Sequence, residues 1–386
     1  MQTTTPSPFL FATSQVGAEP ILKAEISRQF PEARLAFSRP GLVTFKLVGT
    51  DENALDELRL KSVFARTWGF SIGTVRGKSD DAMIPQVWKL VEAQRQLGRK
   101  FDRIHVFGRD LYKIGDYKFE PRLTEEVNAL CWRLCQEYPN DFEPLWRSGQ
   151  DLPANEGDRV LDCVVLNPLP PHASAEFLAK REKAGKTPPR EWLIGWHRVH
   201  SYASALPGGM LDLEMGSEIA SRAWLKMEEA LRWSNLPIQE DARVCEIGSA
   251  PGGATQALLA RGCEVLGVDP AEMAPEVLAN PKFRHLRMRI ASVRRKEFRK
   301  IRWLTCDINV PPNYTLDVIE SIVMHPDVQI RGMLLTLKFP DWNMGFEVDD
   351  YLGRIRSWGF NRVKARQLHY SHQEICVSCL KKPFKR

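Results

Sequence analysis

Four ionisable residues stand where side chains from distant parts of the chain can converge: Lys226, Asp307, Lys338 and Glu374. Asp307 follows the apolar run Trp303 to Cys306, Lys338 ends the run from Gly332, and Glu374 opens the run that closes at Leu380. Short apolar runs of this kind read as buried strands. Lys226 lies in a helix read from Ser217 to about Trp233, on the flank of a face made by Trp224, Met227 and Leu231. From that flank its stem can be buried while its ammonium reaches a cleft. All four could meet over one sheet edge, and open α/β sheets bind ligands at the carboxyl ends of their strands. Such a set can move a proton from a weakly acidic hydroxyl. A lysine serves as the base only if its pKa falls well below about 10.4. Burial and a second ammonium lower it, and a carboxylate raises it.

Between Lys226 and Asp307 lies VCEIGSAPGGATQALLARGCEVLGVD, residues 244 to 269. It has the layout strand, glycine loop, helix, strand. Gly248, Gly252 and Gly253 allow close backbone approach to a ligand, and the helix behind them offers free N–H groups. Asp269 ends the next strand, 21 residues after Gly248, near the spacing at which an acid reaches a ribose in dinucleotide-type βαβ units. The loop reads G-S-A-P-G-G rather than G-x-G-x-x-G, which argues against a dinucleotide. Its proline suits S-adenosylmethionine, which has no pyrophosphate to cradle.

The word APGG after an apolar strand resembles the first motif of the FtsJ-like ribose 2'-O-methyltransferases, with Glu246 where that family usually has Asp. The order Lys-Asp-Lys-Glu matches the family's signature and brackets the loop. The words SRAWLKMEEAL, WLTCD, LKFP and RQLHYSHQEICV place the resemblance, over roughly residues 205 to 380, among the bacterial members acting on large-subunit ribosomal RNA. The resemblance implies S-adenosylmethionine at Glu246, Gly248, Ser249, Ala250, Pro251, Gly252, Gly253, Asp269 and Asp307, RNA as partner, and no metal. It also implies roles: Lys338 as base, Lys226 as the neighbouring cation, Asp307 as the group orienting Lys338, and Glu374 as a partner of the lysines or the ribose.

Two other readings stay open. NVPPNY, residues 309 to 314, is similar to the Asn-Pro-Pro-Tyr loop of amino-group methyltransferases, although no Asn directly precedes its prolines. A catalytically silent RNA-binding protein would need only basic surface, and residues 282 to 302 carry ten Lys and Arg against the single acid Glu297. That run can contact phosphates. Met288 to Ser292 lacks the acid with which related enzymes often contact adenine.

The elements that must hold these residues divide the chain into three expected domains. Residues 1–78 read βαββαβ: strands Pro8 to Thr13, Arg34 to Phe37, Leu42 to Leu47 and Val63 to Ile72, helices Glu19 to Phe30 and Glu52 to Leu60. That is a ferredoxin-like order. Residues 79–205 supply helices Pro85 to Leu97 and Pro121 to Tyr138, strands Arg103 to Phe107, Arg159 to Leu166 and Trp192 to His200, and a basic, proline-rich stretch, Lys180 to Arg190. Together with the first domain this resembles a THUMP-type RNA-binding domain preceding a methyltransferase; the alternative is a scaffold without RNA contact. Residues 206–386 form the Rossmann-like class I methyltransferase domain, closed by strands Arg362 to Tyr370 and Glu374 to Leu380. The fold class is therefore α/β, with α+β domains in front. A chain of 386 residues can bury a core in each domain. The net charge of +6 and pI near 8.8 favour a polyanionic partner. No run approaches the ~18 apolar residues of a membrane span. Eight scattered cysteines and an N-terminus without a secretory pattern lead to the expectation of a reducing, cytoplasmic setting. The pairs Cys131/Cys135 and Cys376/Cys379 each lack the further ligands a zinc site needs.

Overall fold

The computed structural model describes residues 7–116, 119, 121–137, 153–168, 190–201 and 204–382. They form two compact units, Met1–Asp212 and Leu213–Arg386.

The first unit contains one seven-stranded sheet. Its strands are β1 (Phe9–Thr13), β2 (Ala33–Arg39), β3 (Leu42–Leu47), β4 (Thr67–Gly77), β5 (Arg103–Gly108), β6 (Arg159–Val165) and β7 (Arg190–Arg198), in the order β2-β3-β1-β4-β7-β6-β5. The first four pair antiparallel throughout. Residues 1–78 and 79–205, read as separate domains, share this sheet, because β4 pairs with β7 from Phe70↔Trp196 to Gly77↔Arg190. Trp192, Ile194 and Trp196 are buried there; leaving β4 as an edge would expose its hydrogen-bonding groups.

Several elements depart from the expected pattern. The helix expected over Glu52 to Leu60 is a 3₁₀ turn, Glu52–Glu57. The strand expected from Val63 begins at Thr67, because the Glu25 carboxylate accepts the Val63 N–H at 3.0 Å and the Ser62 hydroxyl accepts that of Ala65 at 2.8 Å. Backbone groups held by side chains cannot join a ladder. Helix Asp80–Gln96 starts before Pro85, capped by Ser79, whose Oγ accepts the Ala82 N–H. Helix Glu125–Glu137 starts after Pro121, with Thr124 accepting the Val127 N–H. Most of the basic stretch Lys180 to Arg190 lies outside the described residues; Arg190 opens β7.

The second unit holds β8 (Arg243–Ile247), β9 (Glu264–Val268), β10 (Phe283–Leu286), β11 (Trp303–Cys306), β12 (Gly332–Lys338), β13 (Arg362–Arg366) and β14 (Glu374–Leu380), ordered β10-β9-β8-β11-β12-β14-β13. β8 to β12 run parallel and β14 runs antiparallel to β12. This is a methyltransferase-like α/β fold. Strand order reverses at β8, whose neighbours are β9 and β11, so the ligand crevice of such a sheet opens beyond Ile247 and Cys306. Val244, Ala257, Leu258, Cys263 and Trp303 centre the core between this sheet and helix Ala223–Ser234. That helix begins at Ala223 rather than Ser217: the Gln256 side chain accepts the Ala220 N–H at 2.8 Å and donates to the Glu218 carbonyl at 3.1 Å. β13 ends at Arg366 rather than Tyr370, because the backbone N–H groups of His369 and Tyr370 turn to the buried Glu229 carboxylate. No helix among the described residues is long and apolar enough to cross a membrane.

Candidate active site

The four ionisable residues meet. Lys226 reaches from the helix to Asp307 Oδ2 at 2.7 Å and Glu374 Oε1 at 2.8 Å, and Lys338 Nζ lies 3.0 Å from Asp307 Oδ1. The result is an unbranched chain, Lys338–Asp307–Lys226–Glu374. Its backbone supports are local. Asp307 directly follows β11, and its N–H donates to the Ile247 carbonyl at 3.0 Å. Lys338 ends β12 directly opposite Glu374, the first residue of β14. Glu229, one turn beyond Lys226, accepts the His369 and Tyr370 N–H groups at 2.9 and 3.0 Å, which fastens the helix to the loop leading into Glu374.

Electrostatics assigns the protons. Burial pushes the Lys226 ammonium down, but Asp307 and Glu374 outweigh it and hold it above the ordinary lysine value. Burial likewise raises Asp307, and the two lysines overcome it and keep its carboxyl below the usual range. Lys226 therefore stays an ammonium between two carboxylates, while Lys338 meets one carboxylate that is already shared.

The glycine loop lies beside this chain. Gly248 and Gly252 have φ of +84° and +124°, values that disfavour any side chain. A Cβ on Gly248 would stand 2.6 Å from the Asp307 carbonyl oxygen, and one on Gly252 2.6 Å from Val277 Cγ2. A Cβ on Gly253 would collide with Ser221. At Gly248 the loop packs directly against the Asp307 backbone. Ser249 is buried, with its hydroxyl 3.5 Å from Met273 Sδ, and the Ala250–Pro251 peptide bond is cis. Asp269, half-buried at the end of β9, accepts the Ala250 N–H at 3.2 Å and the Ala271 N–H at 2.8 Å. One carboxylate thus ties the glycine loop to the turn that follows β9.

Glu246, on β8 beneath the loop, is 3 % exposed and accepts the Thr255 hydroxyl at 2.5 Å. Burial, opposed by that hydrogen bond and helped by Asp307 and Asp269, pushes its carboxyl up to about 8. Glu246, Thr305, Lys226 and Asp307 line one small cavity, and the Thr305 hydroxyl is buried there with no partner among the described residues. S-adenosylmethionine, with a sulfonium, an ammonium and a ribose diol, fits this donor set. Asp307, held in its ionised form, complements its cations, Asp269 can take the diol, and the cavity offers an unsatisfied hydroxyl.

Other expected features sort themselves. Asn309 to Tyr314 does not form an open loop; Pro311 and Pro312 begin helix Pro312–Val323, and Tyr314 is 65 % exposed. In the basic run, Lys282, Arg284, Arg287 and Arg299 pair with Asp241, Glu297, Glu272 and Asp327. In β10 the His285 ring bonds the Asp269 carbonyl at 3.0 Å, and no acid occupies 287–292 beyond the strand. All eight cysteines are free and buried. Sequence reasoning passed over Glu229 and Thr255, because a helical Glu and Thr carry no signal until their partners are known.

A mostly parallel sheet with its switch point at a glycine loop, an acid closing the second strand and ionisable residues at the carboxyl ends of the fourth and fifth defines a methyltransferase-type α/β domain. Residues 219–348 match the FtsJ-like methyltransferase model. The Ribosomal RNA large subunit methyltransferase M of Idiomarina loihiensis is 27 % identical over 202 residues, 49 % of this chain and 53 % of its own. The protein of the same name from Chromohalobacter salexigens is 26 % identical over 255 residues, 61 % of this chain and 70 % of its own. The chain spans about half the length of the first of these. TrmN from Thermus thermophilus aligns over 97 % of this chain and 99 % of its own, with 14 % identity and a TM-score of 0.33.

Proposed function

We propose that this chain methylates a ribose 2'-hydroxyl of RNA, in large-subunit ribosomal RNA, with S-adenosylmethionine as donor. The observation that carries this reading is the chain Lys338–Asp307–Lys226–Glu374 at the carboxyl ends of β11 and β12. When bound, S-adenosylmethionine supplies an electrophilic methyl group. Gly248 to Gly253, Glu246 and Asp269 hold it, with Asp307 at the border between donor and acceptor. Lys226 is committed to its ammonium form by two carboxylates, so of the two lysines Lys338 is suited to take the hydroxyl proton at Nζ. Asp307 orients that amine, and Lys226 offsets the charge of Asp307. Glu374 fixes Lys226. General-base help of this kind is typically worth about 10²- to 10⁴-fold.

In the same reading the first unit selects the RNA. Its strand order β2-β3-β1-β4 supports a ferredoxin-like arrangement, and residues 79–205 a THUMP-like contribution. No metal is needed at any step. The free, buried thiols and an RNA substrate fit work in the cytoplasm. Incubating the full chain with tritiated donor and ribosomal RNA should label the RNA in linkages that resist alkaline cleavage. Label on a base nitrogen would replace this reading with the amino-group one. RNA binding without label would replace it with the silent one.

A further inference from the structure

The first unit carries a surface that methyl transfer does not account for. Residues directly opposed on antiparallel strands project to the same side of a sheet. The pairs Arg34↔Lys46, Phe37↔Thr44 and Arg39↔Leu42 place Arg34, Phe37 and Arg39 with Lys46, and Phe9↔Lys46 adds Phe9. Across the sheet, Arg76↔Glu191 lies beside the same groove, which Phe9, Phe37, Arg39 and Arg76 line with the hydroxyls of Thr44 and Ser71.

Leu42 and Leu193, which also line the groove, are buried, but the rest of this face is not ordinary polar surface. Phe9 and Phe37 are 40 % and 44 % exposed. The Arg39 guanidinium lies 4.5 Å over the Phe37 ring. Four cations, Arg34, Arg39, Lys46 and Arg76, face one acid among these positions, Glu191. Glu191 binds Arg39 at 3.1 Å and Arg76 at 2.6 Å, and the face keeps a net charge of about +3 by this count. Arg34 and Lys46 are exposed beside the rings. Exposed aromatic rings interleaved with cations on an open sheet match unpaired RNA, whose bases stack on the rings while phosphates meet the cations. A protein partner would instead favour a drier, less charged centre.

We propose that this face binds a single-stranded segment of RNA, with bases stacked on Phe9 and Phe37 and phosphates at Arg34 and Lys46. The proposal rests on the reading that the chain acts on RNA, and its test does not depend on methyl transfer. A fluorescent oligouridine is titrated against the full chain at several salt concentrations. Phe37→Ala should weaken binding about ten-fold, the typical loss of one base stack, without changing the salt slope. Phe37→Trp should bind at least as tightly as the parent. Lys46→Met and Arg34→Met should each reduce the slope of log affinity against log salt by about 0.7. A photo-crosslinking benzoylphenylalanine at position 37 should attach to the RNA. Parental affinities and slopes in Phe37→Ala, Lys46→Met and Arg34→Met overturn the proposal, as does crosslinking to a second copy of the chain instead of RNA. If ribose methylation is found while these variants titrate like the parent, this face is misassigned and the enzyme reading stands. If no methylation is found while Phe37→Ala still loses affinity, the reverse holds.

Discussion

Replacing Glu246 by glutamine should change how stability depends on pH, and by a calculable amount. Glu246 is 3 % exposed and its carboxyl is pushed from the ordinary 4.5 to about 8. The folded form therefore holds a proton that the unfolded chain releases. The associated stability is complete below about pH 4.5 and is lost as the pH rises through 8. At about 1.36 kcal/mol per pH unit, the interval from 4.5 to about 8 limits the loss to about 5 kcal/mol. A glutamine there would be neutral throughout and could still accept the Thr255 hydroxyl, so Glu246→Gln lacks the decline without losing the contact. Urea unfolding of parent and variant from about pH 5 to about pH 9 measures it, since only the difference between the two curves reports this group. That difference should grow steadily in the variant's favour up to about pH 8 and then flatten. Curves that stay parallel across the range would refute the argument that this carboxyl is buried and protonated.

The catalytic assignment predicts that Lys338→Met lowers the single-turnover methylation rate by about 10²- to 10⁴-fold while donor binding hardly changes; a parental rate would sink Lys338 as base. In calorimetry, Asp269→Ala and Gly252→Arg should each weaken S-adenosylmethionine binding at least ten-fold, about 1.4 kcal/mol, and unchanged affinity in both would show the donor site to be elsewhere. Lys226→Met leaves Glu374, with a side chain 4 % exposed, facing Asp307 without their shared cation. Removing one partner of a buried pair typically costs about 3–5 kcal/mol, and adding Glu374→Gln should recover part of it. A single variant as stable as the parent would show that the pair is not buried in solution.

Much of the candidate site's layout was legible in the residues themselves. The glycine word, the acid after the second strand and the polar residues ending strands four and five are local signals, because each depends on where an apolar run stops and the sheet's carboxyl edge begins. The closing antiparallel strand, Glu374–Leu380, was legible for the same reason. Tertiary contacts decided what local patterns do not encode. The βαββαβ spacing of residues 1–78 says nothing of β7, and only the β4–β7 pairing joins both N-terminal pieces in one sheet. Helix and strand limits moved wherever a distant side chain captured backbone N–H groups, as Glu25 does at Val63, Gln256 at Ala220 and Glu229 at His369 and Tyr370. Sequence alone could not show that Lys282, Arg287 and Arg299 of the charge run pair with Asp241, Glu272 and Asp327. Which lysine is held between two carboxylates was likewise undecided by sequence. Lys226 and Lys338 both stand at the edge of suitable elements, and the distinction arises because Lys226 alone sits between two carboxylates, Asp307 beyond β11 and Glu374 at the start of β14. Charge interactions act through space, so a proton's position follows from the fold that sets the distances.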